Sequence, residues 1–295
     1  MACALFGFPE SGELAARLAG ELGVSSGAVA LHRFPDGESL VRVDPPPETV
    51  ILYRSLDHPN AKLVELLLAA SALRQNGARR LILVAPYLCY MRQDKAFEPG
   101  QAVSQRVVGA LLAAHFDALL TVDPHLHRIR SLEEIMPGTE AVSVTAAPVL
   151  SSAIDAGDNP VLVGPDGESR QWVEAIAAPL GLSAIVGTKR RDADREVEIS
   201  FERADEVAGR GVVLIDDVIS SGATLEQAAR LLRKAGATRV EALATHCLAS
   251  AAEIDLLKQA GIDRIRSTDS VAGPTATITL VKLLADEIRK RGWSN

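Results

Sequence analysis

Residues 211–236 read GVVLIDDVISSGATLEQAARLLRKAG, and their order decides the fold. The apolar run 212–215 suits a buried strand, which is expected to end on the paired carboxylates Asp216 and Asp217. Small and hydroxyl residues follow (Ser220, Ser221, Gly222, Ala223, Thr224), and then an amphipathic helical pattern over 224–235. Strand, loop and helix in that order put acidic groups and backbone N–H donors at the carboxyl end of a strand, where open α/β sheets bind ligands. The loop chemistry suits a sugar phosphate. N–H and hydroxyl groups would take the phosphate, and carboxylates the ribose hydroxyls or a cation.

Working outward, the same alternation fills the chain. Apolar runs at 50–53, 81–85, 119–122, 161–164, 184–187, 212–215 and 240–244 predict short buried strands. Helical patterns at 11–22, 60–75, 102–115, 168–179, 224–235 and 252–260 lie between them. Gly77-Ala78, Gly181-Leu182 and Gly236-Ala237 follow three of these helices, as glycine-terminated helices require. ALRQNGARRLILV and LLRKAGATRVEAL repeat one helix-to-strand unit in the two halves of the chain. Two α/β domains are therefore expected, 1–143 and 144–279, divided within the stretch 137–150, with a final helix in 280–295 crossing back to the first.

With 295 residues the chain can bury two cores. A hydrophobic share of 47% and a charged share of 23% are those of a soluble globular protein. A net charge of −7 gives no general attraction to nucleic acid or acidic membranes, and neither is expected as a partner. No run is apolar for the length of a bilayer span, and the first residues lack a secretory order, so a cytoplasmic protein is expected. Cys3, Cys89 and Cys247 fit neither a disulfide framework nor a structural zinc site, and read as buried free thiols.

Further polar clusters sit where strands end. Phe34-Pro35-Asp36-Gly37-Glu38 is a turn, and alone it reads as a surface turn. The run Tyr87 to Lys95 follows the strand 81–85. Its rings could sandwich a base, Arg92 and Lys95 could hold phosphates, and Gln93 and Asp94 could read polar edges. Asp123-Pro124-His125-Leu126-His127 follows 119–122. His125 and His127 point oppositely on an extended chain, so they are not expected to share a metal. Asp166, between a strand and a helix start, suits a metal or its water shell. Lys189, Arg190 and Arg191 suit neutralisation of a polyphosphate. His246 either touches the phosphate loop or buttresses it.

Read together, FPDGE at 34–38, PYLCYMRQDKAFEPGQAVS at 86–104, DPH at 123–125, GPDGESR at 164–170, KRR at 189–191, IDDVISSGAT at 215–224 and THCLAS at 245–250 resemble the ribose-phosphate pyrophosphokinases. The resemblance implies two phosphoribosyltransferase-like domains, each with a mostly parallel sheet flanked by helices, and substrates at their interface. It implies transfer of the diphosphoryl group of ATP to the 1-hydroxyl of ribose 5-phosphate with Mg²⁺, giving phosphoribosyl pyrophosphate and AMP. On this resemblance the first domain binds ATP through Phe34, Asp36, Glu38, Arg92, Gln93, Asp94 and His125, with Glu38 supplied by a neighbouring subunit. The second domain binds ribose 5-phosphate through Asp166, Asp216, Asp217, Ser220, Ser221, Gly222, Ala223 and Thr224. Lys189 and Arg191 are the implied catalytic cations, His125 and Asp166 the implied metal ligands, and a homodimer or homohexamer the implied assembly.

The chain departs from the common family pattern at Ser220, Ala223, Pro124 and Glu168. If position 223 needs a positive φ, its alanine would cost about 1 kcal/mol. Two other functions share part of the pattern. A phosphoribosyltransferase would use the 215–224 loop without needing Arg92, Gln93 and Asp94. A non-catalytic homologue would co-assemble with active synthetases.

Overall fold

The computed structural model describes residues 3–126, 128, 129, 131–191 and 197–295, without the side chains of residues 190, 191, 197 and 198. His127 and the side chain of Arg191 thus lie outside the described residues. The chain divides into two compact units, Met1–Thr145 with Val281–Asn295, and Ala146–Leu280.

The first unit runs β1 (Cys3–Gly7), α1 (Gly12–Leu22), β2 (Ser25–Arg33), β3 (Ser39–Val43), β4 (Thr49–Tyr53), α2 (Pro59–Gln75), β5 (Arg80–Val84), α3 (Ser104–Ala113), β6 (Ala118–Val122) and β7 (Glu140–Val144). Its seven strands stand in the order β3-β2-β1-β4-β5-β6-β7. All neighbours are parallel except β2 and β3, which form an antiparallel edge hairpin. β4 and β6 are buried at every residue, which fits central parallel strands covered on both faces by helices. Phe6, Phe8, Leu52, Leu66 and Leu83 lie in its core, each side chain adding about 1.5–3 kcal/mol by leaving water. β2 and β3 are not among the predicted strands. β2 reads SSGAVALHR; its Ala28–Leu31 stretch is short and alanine-rich, and only Val29 in it is buried.

The second unit runs α4 (Ala147–Ser152), β8 (Val161–Gly164), α5 (Arg170–Leu180), β9 (Ala184–Val186), β10 (Thr188–Arg191), β11 (Val197–Ser200), β12 (Gly211–Ile219), α6 (Ala223–Lys234), β13 (Arg239–Cys247), α7 (Ala251–Gln259), β14 (Arg264–Thr268) and β15 (Ala276–Ile278). Six of its strands form a parallel sheet in the order β15-β14-β13-β12-β8-β9, and β10 and β11 make a separate antiparallel ribbon.

β12 does not end on its carboxylates. It continues through Asp216 and Asp217 to Ile219, because β13 is equally long and keeps pairing with it: Asp216 with Ala244, Val218 with His246 and Ile219 with Cys247.

The helix α8 (Val281–Lys290) belongs to the first unit, where it packs on α1 and buries Leu284, Ala285 and Ile288. Beyond it the Trp293 indole is fully buried and donates its N–H to Glu140 Oε2 at 3.1 Å. The Cys3 thiol donates to the Trp293 carbonyl at 3.8 Å.

Candidate functional site

In the second unit the strand order turns between β8 and β12, the switch point at which a parallel sheet opens a crevice beyond its carboxyl ends. Asp166 lies just past β8. Its side chain caps the single 3-10 turn Gly167–Ser169 by accepting the Glu168 N–H at 3.1 Å, and its carbonyl accepts the Ser169 hydroxyl at 2.6 Å. The ribbon strand β10 brings Lys189 Nζ to 3.7 Å from Asp166 Oδ2. Across the switch point, Asp216 Oδ1 accepts the Asp217 N–H at 3.0 Å.

Burial holds the Asp216 carboxyl well above the usual carboxylate range, and the charges of Asp217 and Asp166 push it the same way, outweighing the Asp217 N–H bond, which lowers it. Such a place is short of positive charge. It suits sugar hydroxyl donors or a hard cation.

The loop to α6 turns at Gly222, whose φ is 79°. A Cβ there would also come within 2.9 Å of Leu257 Cδ1, so conformation and space both require glycine. Ala223 is the first residue of α6 and is not among the residues with positive φ. The strain expected at Ala223 is therefore absent, because the left-handed turn falls one residue earlier. Ser220, Ser221, Gly222, Ala223 and Thr224 thus lead into the N-terminus of a twelve-residue helix, whose amides favour an anion. His246 is buried, with Nδ1 2.8 Å from Ser270 Oγ, and Ser270 donates to the Thr245 carbonyl at 3.0 Å. Those bonds tie β13 to the segment following β14.

The first unit holds the remaining expected residues. Phe34, Asp36 and Glu38 form the hairpin loop between β2 and β3, closed by Phe34 N–H to Glu38 carbonyl at 2.8 Å and Gly37 N–H to Phe34 carbonyl at 2.9 Å. Gly37 makes this turn with a φ of 93°. Asp36 Oδ1 accepts the Glu38 N–H at 3.1 Å. The Phe34 ring is 40% exposed and packs edge-on against His32, with centroids 4.7 Å apart.

Arg92, Gln93 and Asp94 follow β5. The Gln93 carbonyl accepts the Gln105 N–H at 3.3 Å in the first turn of α3. The Asp94 side chain, 2% exposed, takes Arg128 Nη1 at 2.5 Å, while its Oδ2 is buried with no protein partner among the described residues. Arg128 escaped sequence reasoning, since nothing marks it apart from its neighbours. The backbone is strained nearby, with a φ of 61° at Tyr90 and 36° at Asp123, two residues before half-buried His125. β2 and β5 are three strand spacings apart, about 14 Å at ~4.8 Å per spacing. A cavity of about 600 Å³ also lies in this unit, lined by residues including Glu10, Arg33, His58 and Lys62 and by none of the expected nucleotide residues.

Among the described residues no group of three or more His, Cys, Asp or Glu side chains could hold a metal by itself. Magnesium does not need one, since it is commonly bound by one or two carboxylates together with substrate phosphates and water. Asp166 and Asp216 have the oxygen donors and the excess negative charge for that role.

Residues 3–115 match the model of the N-terminal domain of ribose phosphate pyrophosphokinase, and residues 130–275 that of the phosphoribosyl transferase domain. The chain is 37% identical over 286 residues to a ribose-phosphate pyrophosphokinase of Methanopyrus kandleri, covering 95% of this chain and 96% of the relative. It is 31% identical over 301 residues to the ribose-phosphate pyrophosphokinase of Vibrio parahaemolyticus, covering 97% and 95%. The crystal structure of phosphoribosylpyrophosphate synthetase from Mycobacterium smegmatis is similar over 100% of both chains, with a TM-score of 0.84 and 27% identity. Matched along nearly its whole length, the chain belongs to the ribose-phosphate pyrophosphokinase family.

Proposed function

We propose that this protein transfers the diphosphoryl group of ATP to the 1-hydroxyl of ribose 5-phosphate, giving phosphoribosyl pyrophosphate and AMP. The observation that carries the reading is the meeting of Asp166, Lys189 and Asp216 at the switch point of the second unit, beside a loop leading into the N-terminus of α6. The amides and hydroxyls of Ser220, Ser221, Gly222, Ala223 and Thr224 take the 5-phosphate, and Asp216 and Asp217 take the ribose hydroxyls. The 1-hydroxyl oxygen then bonds to the β-phosphorus of ATP while the bond between that phosphorus and the α,β-bridging oxygen breaks. AMP leaves with the bridging oxygen, and the hydroxyl proton is lost to solvent. Lys189 and Arg191 offset the charge on the transferred group, which together with positioning is the protein's main task in phosphoryl transfer.

Phe34 stacks on the base, and Asp36, Glu38, Arg92, Gln93, Asp94 and His125 hold the rest of the nucleotide. The spacing of β2 from β5 supports a shared site in which one copy's hairpin serves the Arg92 loop of another, hence a homodimer or homohexamer. Asp166 and His125 are each offered as ligands for Mg²⁺, which when bound would offset phosphate charge. The free cysteines fit a reducing cytoplasm, and among the described residues no helix is long and apolar enough to cross a membrane. The protein incubated with ATP, Mg²⁺ and ribose 5-phosphate should form AMP in step with phosphoribosyl pyrophosphate; AMP no higher than without the sugar phosphate would sink the reading.

A further inference from the structure

The first unit has its own switch point, between β1 and β4, and a buried ion network follows β4 there. Arg54, directly after β4, is fully buried with its guanidinium 3.8 Å above the Phe8 ring. Its Nε donates to Glu10 Oε1 at 2.8 Å, its Nη1 to the Lys62 carbonyl at 2.9 Å and its Nη2 to Glu65 Oε2 at 2.5 Å. Glu65, on α2, has a side chain with no exposed surface. Its other oxygen, Oε1, accepts Arg33 Nε at 2.8 Å and the Ser39 hydroxyl at 3.1 Å.

Arg33 and Ser39 are the pair that closes the β2–β3 hairpin, one on each arm of the loop 34–38. A single buried carboxylate therefore grips both arms next to Phe34 and Glu38. Burial by itself pushes the Glu65 carboxyl up, but the bonds from Arg33, Arg54 and Ser39 and the charge of Arg54 outweigh it, so the group stays ionised at neutral pH. Buried ion networks add little net stability compared with apolar packing, and their better-attested use is to specify one geometry. A two-stranded edge ribbon is marginal on its own and gains direction from what it rests on.

We propose that Glu65 is a positioning residue for the nucleotide: it fixes the β2–β3 hairpin at the angle at which Phe34 and Glu38 meet ATP. The inference rests on the reading of that hairpin as a nucleotide contact. Holding the loop in its binding geometry beforehand lowers the ordering cost paid on association.

Glu65→Ala leaves buried Arg54 short of a partner and risks the fold, so the informative variants are Ser39→Ala, Arg33→Gln and the two combined. Each removes a grip on the hairpin and leaves the Arg54 pairs with Glu65 and Glu10 in place. Hydrogen exchange of peptides spanning 31–41 should speed up, while β5 and β6 keep wild-type protection. The KM for ATP should rise about three- to tenfold, more in the double variant, the size expected for one or two hydrogen bonds. The KM for ribose 5-phosphate and kcat should stay within about twofold of wild type. Wild-type exchange in the hairpin, or faster exchange with an unchanged KM for ATP, overturns the proposal. Phe34→Ala separates the two ideas. If it raises the KM for ATP while the clamp variants do not, the nucleotide reading stands and the clamp falls. If Phe34→Ala has no effect, the nucleotide reading of the hairpin falls and the proposal with it.

Discussion

Lys189 Nζ lies 3.7 Å from Asp166 Oδ2, so this cation is held by a side chain whose charge also bears on the buried Asp216 carboxyl. The pair is partly exposed and adds about 1 kcal/mol or less to stability. Lys189→Ala should therefore lower kcat by about 10²–10³-fold, the usual effect of losing a preorganised charge on the transferred group. Its melting temperature should stay within about 2 °C of wild type. Single-turnover AMP formation and calorimetry check the two halves, and intact turnover would remove Lys189 from the chemistry.

Asp216 gives a prediction of the opposite kind. Its folded carboxyl titrates above its unfolded value, so between those two values the folded state binds more protons than the unfolded state. Stability therefore falls as pH rises through that window and stays at the lower level above it. Asp216→Asn removes this penalty. The variant should melt about 2–6 °C higher than wild type at pH 7, with the gap narrowing as pH falls through that window and closed below about 4. Activity should be lost at the same time, as happens where a site stores unfavourable charge for function.

Gly222 and Ala223 should respond in opposite ways to exchange. Gly222→Ala puts a Cβ at a φ of 79° and against Leu257, which costs about 1–2 kcal/mol and displaces the loop. The KM for ribose 5-phosphate should rise at least fivefold, by the same energy scale. Ala223→Gly loosens the first turn of α6 and should leave that KM unchanged or worse, never improved.

The thiols offer a check on burial alone. Burial pushes Cys89 up to about 12 and Cys3 up to about 11, and Cys247 is buried as well. With so little thiolate at pH 8, Cys3 and Cys89 of the folded protein should react with a disulfide reagent at least about a hundredfold more slowly than free cysteine, and burial shields Cys247 from the reagent. Guanidinium should release all three thiols. One fast thiol in the folded state would show a segment opening around it.

Much of the sheet framework was legible because central parallel strands announce themselves as unbroken Val, Ile and Leu runs, as in TVILY of β4 and ALLTV of β6. β2 and β3 were not, since their faces are mostly exposed and their pairing is set by the ladder Arg33–Ser39 to Val29–Val43. The far half of β12 was hidden for another reason. Two aspartates read as a strand stop, and only the long apolar β13 keeps the ladder going past them. Asp166 and Asp216 could be picked out one at a time as polar groups at strand ends, but their mutual repulsion depends on β8 pairing with β12. Glu65 carried no signal. In the helix PNAKLVELLLAASALRQ a lone glutamate reads as a solvated charge until α2 is laid across the hairpin.

The placement of α8 has a consequence for synthesis. The packing of α1 against α8, and the Cys3–Trp293 and Glu140–Trp293 bonds, need residues beyond 280 to be complete. A ribosome making about 5–20 residues per second takes about 7–27 s to pass through Ala146–Leu280. The second unit can thus finish folding while the first is still waiting with an apolar helix face uncovered. The nested order reverses the usual sequence in which the N-terminal unit folds first, and it marks α1 as the surface on which a nascent-chain chaperone would act.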